Sequence, residues 1–167
     1  MASLMILVAA GAYFGARYRI GIDDQRAKCL PPYMVFLIDT WDRNPRRGEL
    51  VAFRARGIGR YVLHGDPAIR PLAARYTDGT WFVKVVAGVP GDRVEVTRKE
   101  TTVNGAAVGT GLALARSLGR DVASFERRIE LPQGRFWVMG RSVASVDSRY
   151  WGCIDQTQVI GTAQAIW

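Results

Sequence analysis

Five short segments constrain what this chain can fold into. Tyr33–Asp39 (YMVFLID), Glu49–Ala55 (ELVAFRA), Thr80–Gly88 (TWFVKVVAG), Asp92–Lys99 (DRVEVTRK) and Arg135–Gly140 (RFWVMG) are apolar or alternating runs rich in Val, Phe and Trp. Most are bounded by Gly, Pro, Asp or Asn, the pattern of strands set between turns. Val89-Pro90-Gly91-Asp92 reads as a turn in which Pro fixes one backbone position and Gly relaxes another, and Asn104-Gly105 is a hairpin signal. The expected fold class is therefore mainly β, with an antiparallel sheet. Between Gly109 and Arg128 the composition shifts to Ala, Leu, Arg and Ser. A small excursion near residues 106–130, a short helix or a loop, is expected there rather than another strand.

With 167 residues, 49% hydrophobic and 23% charged, the chain suits one folded domain with an appendage and excludes a disordered polypeptide. The formal charge of +8 points to an anionic neighbour, either nucleic acid or membrane headgroups. Basic residues are scattered (Arg46-Arg47, Arg54, Arg56, Arg70, Arg127-Arg128) and no nucleic-acid motif is present, so no nucleic-acid partner is expected. The N-terminus favours lipid. Met1 to Ala16 carries no charged side chain, and the first cation is Arg17. Tyr13, Phe14 and Tyr18 supply interfacial aromatics, and Arg17 and Arg19 supply headgroup contacts. The reading is a membrane anchor over residues 1–19, a single N-terminal transmembrane helix, followed by a β-domain over 20–167. A cleaved signal peptide is the alternative, disfavoured by the lack of a basic leading region. Arg17, Arg19, Arg26 and Lys28 follow the anchor and none precedes it, so the positive-inside rule alone would hold the domain in the cytoplasm.

The chemistry centres on Lys84, set among Val83, Val85 and Val86 in a strand-like run. Burial disfavours the charged form of an amine, which is the condition for a Lys to act as a general base. Cys29, in KCLP, offers a nucleophile earlier in the chain. Rival constellations fail. His64 is the one His, and HGDP places it in a turn at the surface, so no Cys-His or Ser-His-Asp set is expected. One His and two widely spaced Cys fall short of a zinc set, so neither metal nor cofactor is expected. The glycines at Gly57, Gly59 and Gly105 to Gly111 lack the Lys-Ser or Lys-Thr of a phosphate loop and take turn roles.

Taken in order, these segments resemble a membrane-anchored type I signal peptidase, and the short length with KCLP resembles the conjugative-transfer, TraF-type branch. CLP at Cys29 is similar to the family's Ser-x-Pro nucleophile box, and RRGELVAF (Arg46 to Phe53) to the strand after it. KVVAGVPGD from Lys84 resembles the general-base box, TVNG (Thr102 to Gly105) the family hairpin, and SVDSRYWG from Ser145 the last box. The resemblance implies a signal-peptidase-like antiparallel β-domain and an endopeptidase with Cys29 as nucleophile and Lys84 as general base. Cys replaces the usual Ser, and a thiolate is the stronger nucleophile at neutral pH. A small buried residue, or an engineered replacement of Ser, is the alternative for Cys29.

By the same resemblance Ser145 orients Lys84, and Asp147 and Arg149 form a salt bridge that supports the site. The hydroxyl that many members carry two residues before the nucleophile is absent, because position 27 is Ala. Cys29 is expected free rather than bonded to Cys153, with Cys153 buried. The implied substrate is an exported precursor, pilin-like, with a small residue before the cleaved bond. The implied setting is the bacterial inner membrane with the domain in the periplasm, against the positive-inside count. The thioester would resolve with water or with an amine. An inactive homologue serving as a scaffold and a basic membrane-tethered binding module are the other classes. Of Tyr33, Phe36, Trp41, Phe53, Trp81 and Phe82, about half are expected in the core and the rest in an apolar rim on the bilayer.

Overall fold

The computed structural model describes residues 2–25, 28–57 and 78–167. An apolar helix, α1 (Ala2–Arg17), leads into eleven strands. These are β1 (Tyr18–Ile22), β2 (Val35–Asp39), β3 (Leu50–Arg54), β4 (Trp81–Gly88), β5 (Arg93–Val96), β6 (Glu100–Val103), β7 (Ala106–Thr110), β8 (Arg127–Glu130), β9 (Arg135–Met139), β10 (Ile154–Asp155) and β11 (Val159–Ala165). A one-turn helix, α2 (Ser148–Trp151), precedes β10. Seven strands form a large sheet in the order β1-β2-β11-β3-β4-β9-β10, and four form a small one in the order β7-β6-β5-β8. Every pairing between them is antiparallel.

The five anticipated segments supply β2, β3, β4, β5 and β9. Alternation decides their faces. In β9, Phe136 and Val138 enter a core with Val51, Phe53, Phe82, Val86, Ile154 and Val159. Trp137 and Met139 face the other way, into a second core with Val94, Val103, Leu118, Phe125 and Tyr150 that joins the two sheets. The excursion packs into this second core through Leu112, Ala115 and Leu118, and between β7 and β8 it holds turns and a 3-10 turn at Val122–Ser124. Strands β7 and β8 extend into its two ends. Asn104 (φ 51°) and Gly105 (φ 82°) take the left-handed region that a two-residue hairpin between β6 and β7 requires. Gly91 (φ 87°) does so in the β4–β5 turn.

Asp92 ties that turn to its neighbours. Its carboxylate accepts from the Val89 N–H at 2.8 Å, from Arg47 Nη2 at 2.6 Å and from Asn104 Nδ2 at 2.8 Å. Burial alone would raise its pKa. The N–H of Val89, the Asn104 amide and the Arg47 guanidinium outweigh burial and hold it below the ordinary carboxylate range.

The expectation of a transmembrane helix is corrected. α1 has 16 residues, and no described helix is long and apolar enough to cross a membrane. At about 1.5 Å per residue its reach is roughly 24 Å, short of the roughly 30 Å of bilayer hydrocarbon. The helix stops where a distant segment captures its end. The Arg17 carbonyl accepts from Thr40 N at 2.9 Å and Thr40 Oγ1 at 2.7 Å, while Tyr18 already pairs with Asp39 in the sheet. Arg17 donates through Nε to Asp39 at 3.0 Å, so the β-domain captures the helix end and the chain continues as β1. The boundary placed between residues 19 and 20 falls inside that strand. Val8 and its apolar neighbours Leu4 to Leu7 are exposed. Of the six aromatics, Phe36, Phe53 and Phe82 are buried, Trp41 and Trp81 are exposed, and Tyr33 is half-buried.

Candidate active site

Lys84 reaches the interior because of its place in β4. Register pairs it with Val51, and alternation sets it on the face of Phe82 and Val86, where it is fully buried. Its Nζ donates to Ser145 Oγ at 2.7 Å and lies 5.8 Å from the centre of the Phe82 ring. Ser145 is itself fully buried. A buried amine is thus held by a hydroxyl, with no carboxylate paired to it among the described residues.

Ser145 is placed by the segment that follows β9. Asp147 caps α2, and its carboxylate accepts from Arg149 Nε at 2.8 Å, Arg149 Nη2 at 2.9 Å and the Gly140 N–H at 3.0 Å. Arg149 also donates to the carbonyls of Ser145 at 3.1 Å, Thr110 at 2.7 Å and Gly111 at 3.1 Å. One guanidinium therefore fixes the Ser145 backbone and fastens it to the end of β7. Burial would lower the Arg149 pKa, but the bonds and charge of Asp147 outweigh it and raise it. Next to it Tyr150 accepts from Leu114 N–H at 3.0 Å, and burial pushes its phenol up. Ser148 Oγ accepts from Val138 N–H at 2.9 Å, tying α2 to β9.

Cys29 meets this segment through its backbone. Its carbonyl accepts from the N–H of Arg141 at 2.8 Å and of Ser142 at 3.3 Å. Both Cys29 and Cys153 are free thiols, and both are half-buried. Between the parts sits Gly140, which sequence reasoning passed over as the boundary of a strand. A Cβ there would lie 2.1 Å from Ser145 Oγ and 3.0 Å from the Cys29 carbonyl. Only hydrogen fits, and the Gly at the end of RFWVMG is the signal that could have found it.

The structure thus brings Lys84 to Ser145, and Asp147 to Arg149, and joins Cys29 to the same turn by two backbone bonds. His64 and Ala27 lie outside the described residues. Among the described residues no group of three or more His, Cys, Asp or Glu is placed to hold a metal ion.

Comparison with known proteins bears on this arrangement. A family model described as "Signal peptidase, peptidase S26" matches residues 2–167. The chain is 28% identical over 122 residues to a "Probable signal peptidase I-2" of Synechocystis sp., an alignment that takes in 72% of this chain and 47% of that protein. It thus spans about half the length of the curated relative it matches. A crystal structure of a signal peptidase I from Enterococcus faecalis is similar at 21% identity and a TM-score of 0.41, over 75% of this chain and 99% of that one. Because the family match runs from α1 to the last residue and takes in every segment just described, this chain belongs to the signal peptidase family, peptidase S26.

Proposed function

We propose that the chain is an endopeptidase that matures an exported precursor by acyl transfer, with Cys29 as nucleophile, Lys84 as general base and Ser145 as the residue that orients the Lys. The observation that carries this reading is the 2.7 Å contact between buried Lys84 Nζ and Ser145 Oγ, on a segment whose turn also holds the Cys29 carbonyl. The sulfur attacks the peptide carbonyl carbon, and Lys84 takes the thiol proton. The carbonyl oxygen becomes an oxyanion, for which the Cys29 backbone N–H is the assigned donor. The C–N bond then breaks, Lys84 returns the proton to the leaving amine, and a thioester remains. Water or an amine attacks it, Lys84 accepts that proton, and the thiol is restored with a linear or a cyclic product released. Asp147 and Arg149 hold Ser145 in place and take no part in proton transfer.

The substrate class follows the TraF-type resemblance of KCLP: a pilin-like precursor with a small residue before the cleaved bond. The membrane is the second partner. The exposed apolar side chains of α1, with Tyr13, Phe14, Trp41 and Trp81, form the surface that lies against lipid, and the β-domain works on the periplasmic face of the inner membrane. Intact-mass analysis of a candidate pilin precursor tests the enzyme directly. Wild type is expected to shorten or cyclise it, Cys29→Ala to leave it unchanged, and Cys29→Ser to process it weakly. Unaltered processing by Cys29→Ala would remove Cys29 from the mechanism.

A further inference from the structure

Cys29 lies on the connection between β1 and β2. The Asp23 N–H donates to the Met34 carbonyl at 2.8 Å and closes the base of that connection, while the Tyr33 N–H donates to the Leu30 carbonyl at 3.0 Å and closes a tight turn just after the nucleophile. Leu30 is buried, which pins this turn from one side. From Met34 onward the chain is fastened elsewhere, since Met34 and Val35 both donate to the Trp167 carbonyl. Tyr33 is thus the last residue of the nucleophile's turn.

The facing wall of the site is the stretch 140–145. Its ends are fixed: the Gly140 N–H is held by Asp147 at 3.0 Å, and Ser145 accepts from Lys84 at 2.7 Å. A turn closed by the Ser145 N–H on the Ser142 carbonyl at 3.1 Å joins them. Arg141 and Ser142 donate their N–H groups to the Cys29 carbonyl at 2.8 and 3.3 Å. The spacing of nucleophile and base therefore passes through these few residues. Two bonds that converge on one oxygen form a pivot, however, and a pivot leaves the Cys29 turn free to swing.

Arg141 supplies a second point of contact. Its guanidinium carbon lies 5.9 Å from the centre of the Tyr33 ring, within the roughly 6 Å reach of a cation–π contact. Arg141 is exposed and Tyr33 half-buried, a setting that suits a guanidinium, which can bind a ring face while staying hydrated. One residue thus holds the nucleophile's turn at both ends, by its backbone at Cys29 and by its side chain at Tyr33. Resting on the peptidase reading, we infer that Arg141 is a positioning residue of this site: through Tyr33 it keeps the Cys29 turn against the Gly140–Ser145 turn and so sets the approach of the thiol to Lys84. Its part is geometric, and it moves no proton.

The full chain and the pilin precursor test this. Arg141→Ala and Tyr33→Leu should each lower kcat about tenfold, because misplacing a reacting group costs rate. KM should stay within about twofold, since no contact to the substrate is removed. Arg141→Lys and Tyr33→Phe, which restore a cation and a ring, should recover activity that Arg141→Gln does not. The double variant Arg141→Ala with Tyr33→Leu should be no slower than either single one, as for two halves of one contact. A second measurement needs no turnover. In Tyr33→Leu, amide hydrogen exchange at Arg141 and Ser142 should quicken about tenfold while Val138 in β9 keeps its protection. Unchanged exchange there overturns the contact between the turns. Quickened exchange with unaltered kcat, additive losses in the double variant, or equal activity of Arg141→Gln and Arg141→Lys overturns the positioning role and leaves the peptidase reading intact. Failure of wild type to process the precursor overturns that reading, and the positioning role with it.

Discussion

Two Arg–Asp pairs stand at the two junctions of this molecule, and they share their geometry but not their surroundings. Arg17 grips Asp39 through Nε at 3.0 Å and Nη2 at 2.5 Å where α1 meets the sheet, with side chains 30% and 18% exposed. Arg149 grips Asp147 at 2.8 and 2.9 Å beside Ser145, with exposures of 2% and 0%. In water the first pair competes with solvent and salt, so it steers the helix and contributes little to stability. Its guanidinium also lies 5.1 Å from the Tyr18 ring and 5.7 Å from the Trp41 ring, which fixes direction. The second pair has no solvent to fall back on. Each partner is needed because the other is there, and the surplus donors of Arg149 bind three carbonyls of two segments. The same chemistry is a steering contact at one junction and a structural requirement at the other.

The contrast breaks first if the buried junction is scaffolding without chemistry. Lys84→Arg keeps a positive charge but cannot release its proton near neutrality, so precursor processing should fall by about a thousandfold or more while the far-UV circular dichroism is retained. Substantial activity in Lys84→Arg would end the general-base assignment. Next comes Arg149→Leu, which strands the Asp147 carboxylate in the interior. It should cost about 3–5 kcal/mol in urea unfolding. The double replacement Asp147→Leu with Arg149→Leu should recover part of that, and a cost below that of an ordinary surface change would place the pair in water after all.

A smaller effect sharpens the comparison through pH. Asp92 lies between the two extremes, nearly buried yet paired with the half-exposed Arg47. Its carboxyl titrates below the ordinary Asp value, so the unfolded chain binds the proton more readily than the folded one. The stability it contributes is present above the unfolded pKa, about 3.9, and is lost as pH falls through the lower folded one. Unfolding midpoints of wild type and Asp92→Asn should therefore converge as pH drops through that window. A constant gap would show that Asp92 acts by packing alone. The smallest effect belongs to Arg17→Gln, which should leave the thermal midpoint within about 2 °C of wild type. A large fall would mean that the helix root is as demanding as the buried site.

Much of the candidate site was legible through the resemblance of SVDSRYWG to a family box, whose residues are local in sequence. Ser145, Asp147 and Arg149 fall within one short run, and a one-turn helix brings Arg149 back onto the carboxylate that caps it. Lys84 was legible as an anomaly, a charge in a Val-rich strand. The strands β2, β3, β4, β5 and β9 announced themselves by alternation and turn residues. Strand β1 did not, because Tyr18–Ile22 is an edge strand with exposed Ile20 and Ile22 and alternates poorly. The stretch read as a membrane helix misled for a related reason. Hydropathy registers an apolar run, but the end of the helix at Arg17 is set by Asp39 and Thr40, more than twenty positions away.

The sequence by itself determined the β character, the hairpin at Asn104-Gly105 and the turn at Gly91, since each rests on propensities and spacings that act over a few residues, while the candidate-site residues followed from the resemblance of its ordered motifs to a family. The tertiary structure alone decided that the Cys29 carbonyl meets the turn after β9, that Gly140 can be nothing larger, that Arg149 fastens Ser145 to the far end of β7, and that α1 stops at Arg17. Those are contacts between segments distant in the chain. They depend on the register with which β1 meets β2 and β3 meets β4, and register is fixed only when all the faces are buried together.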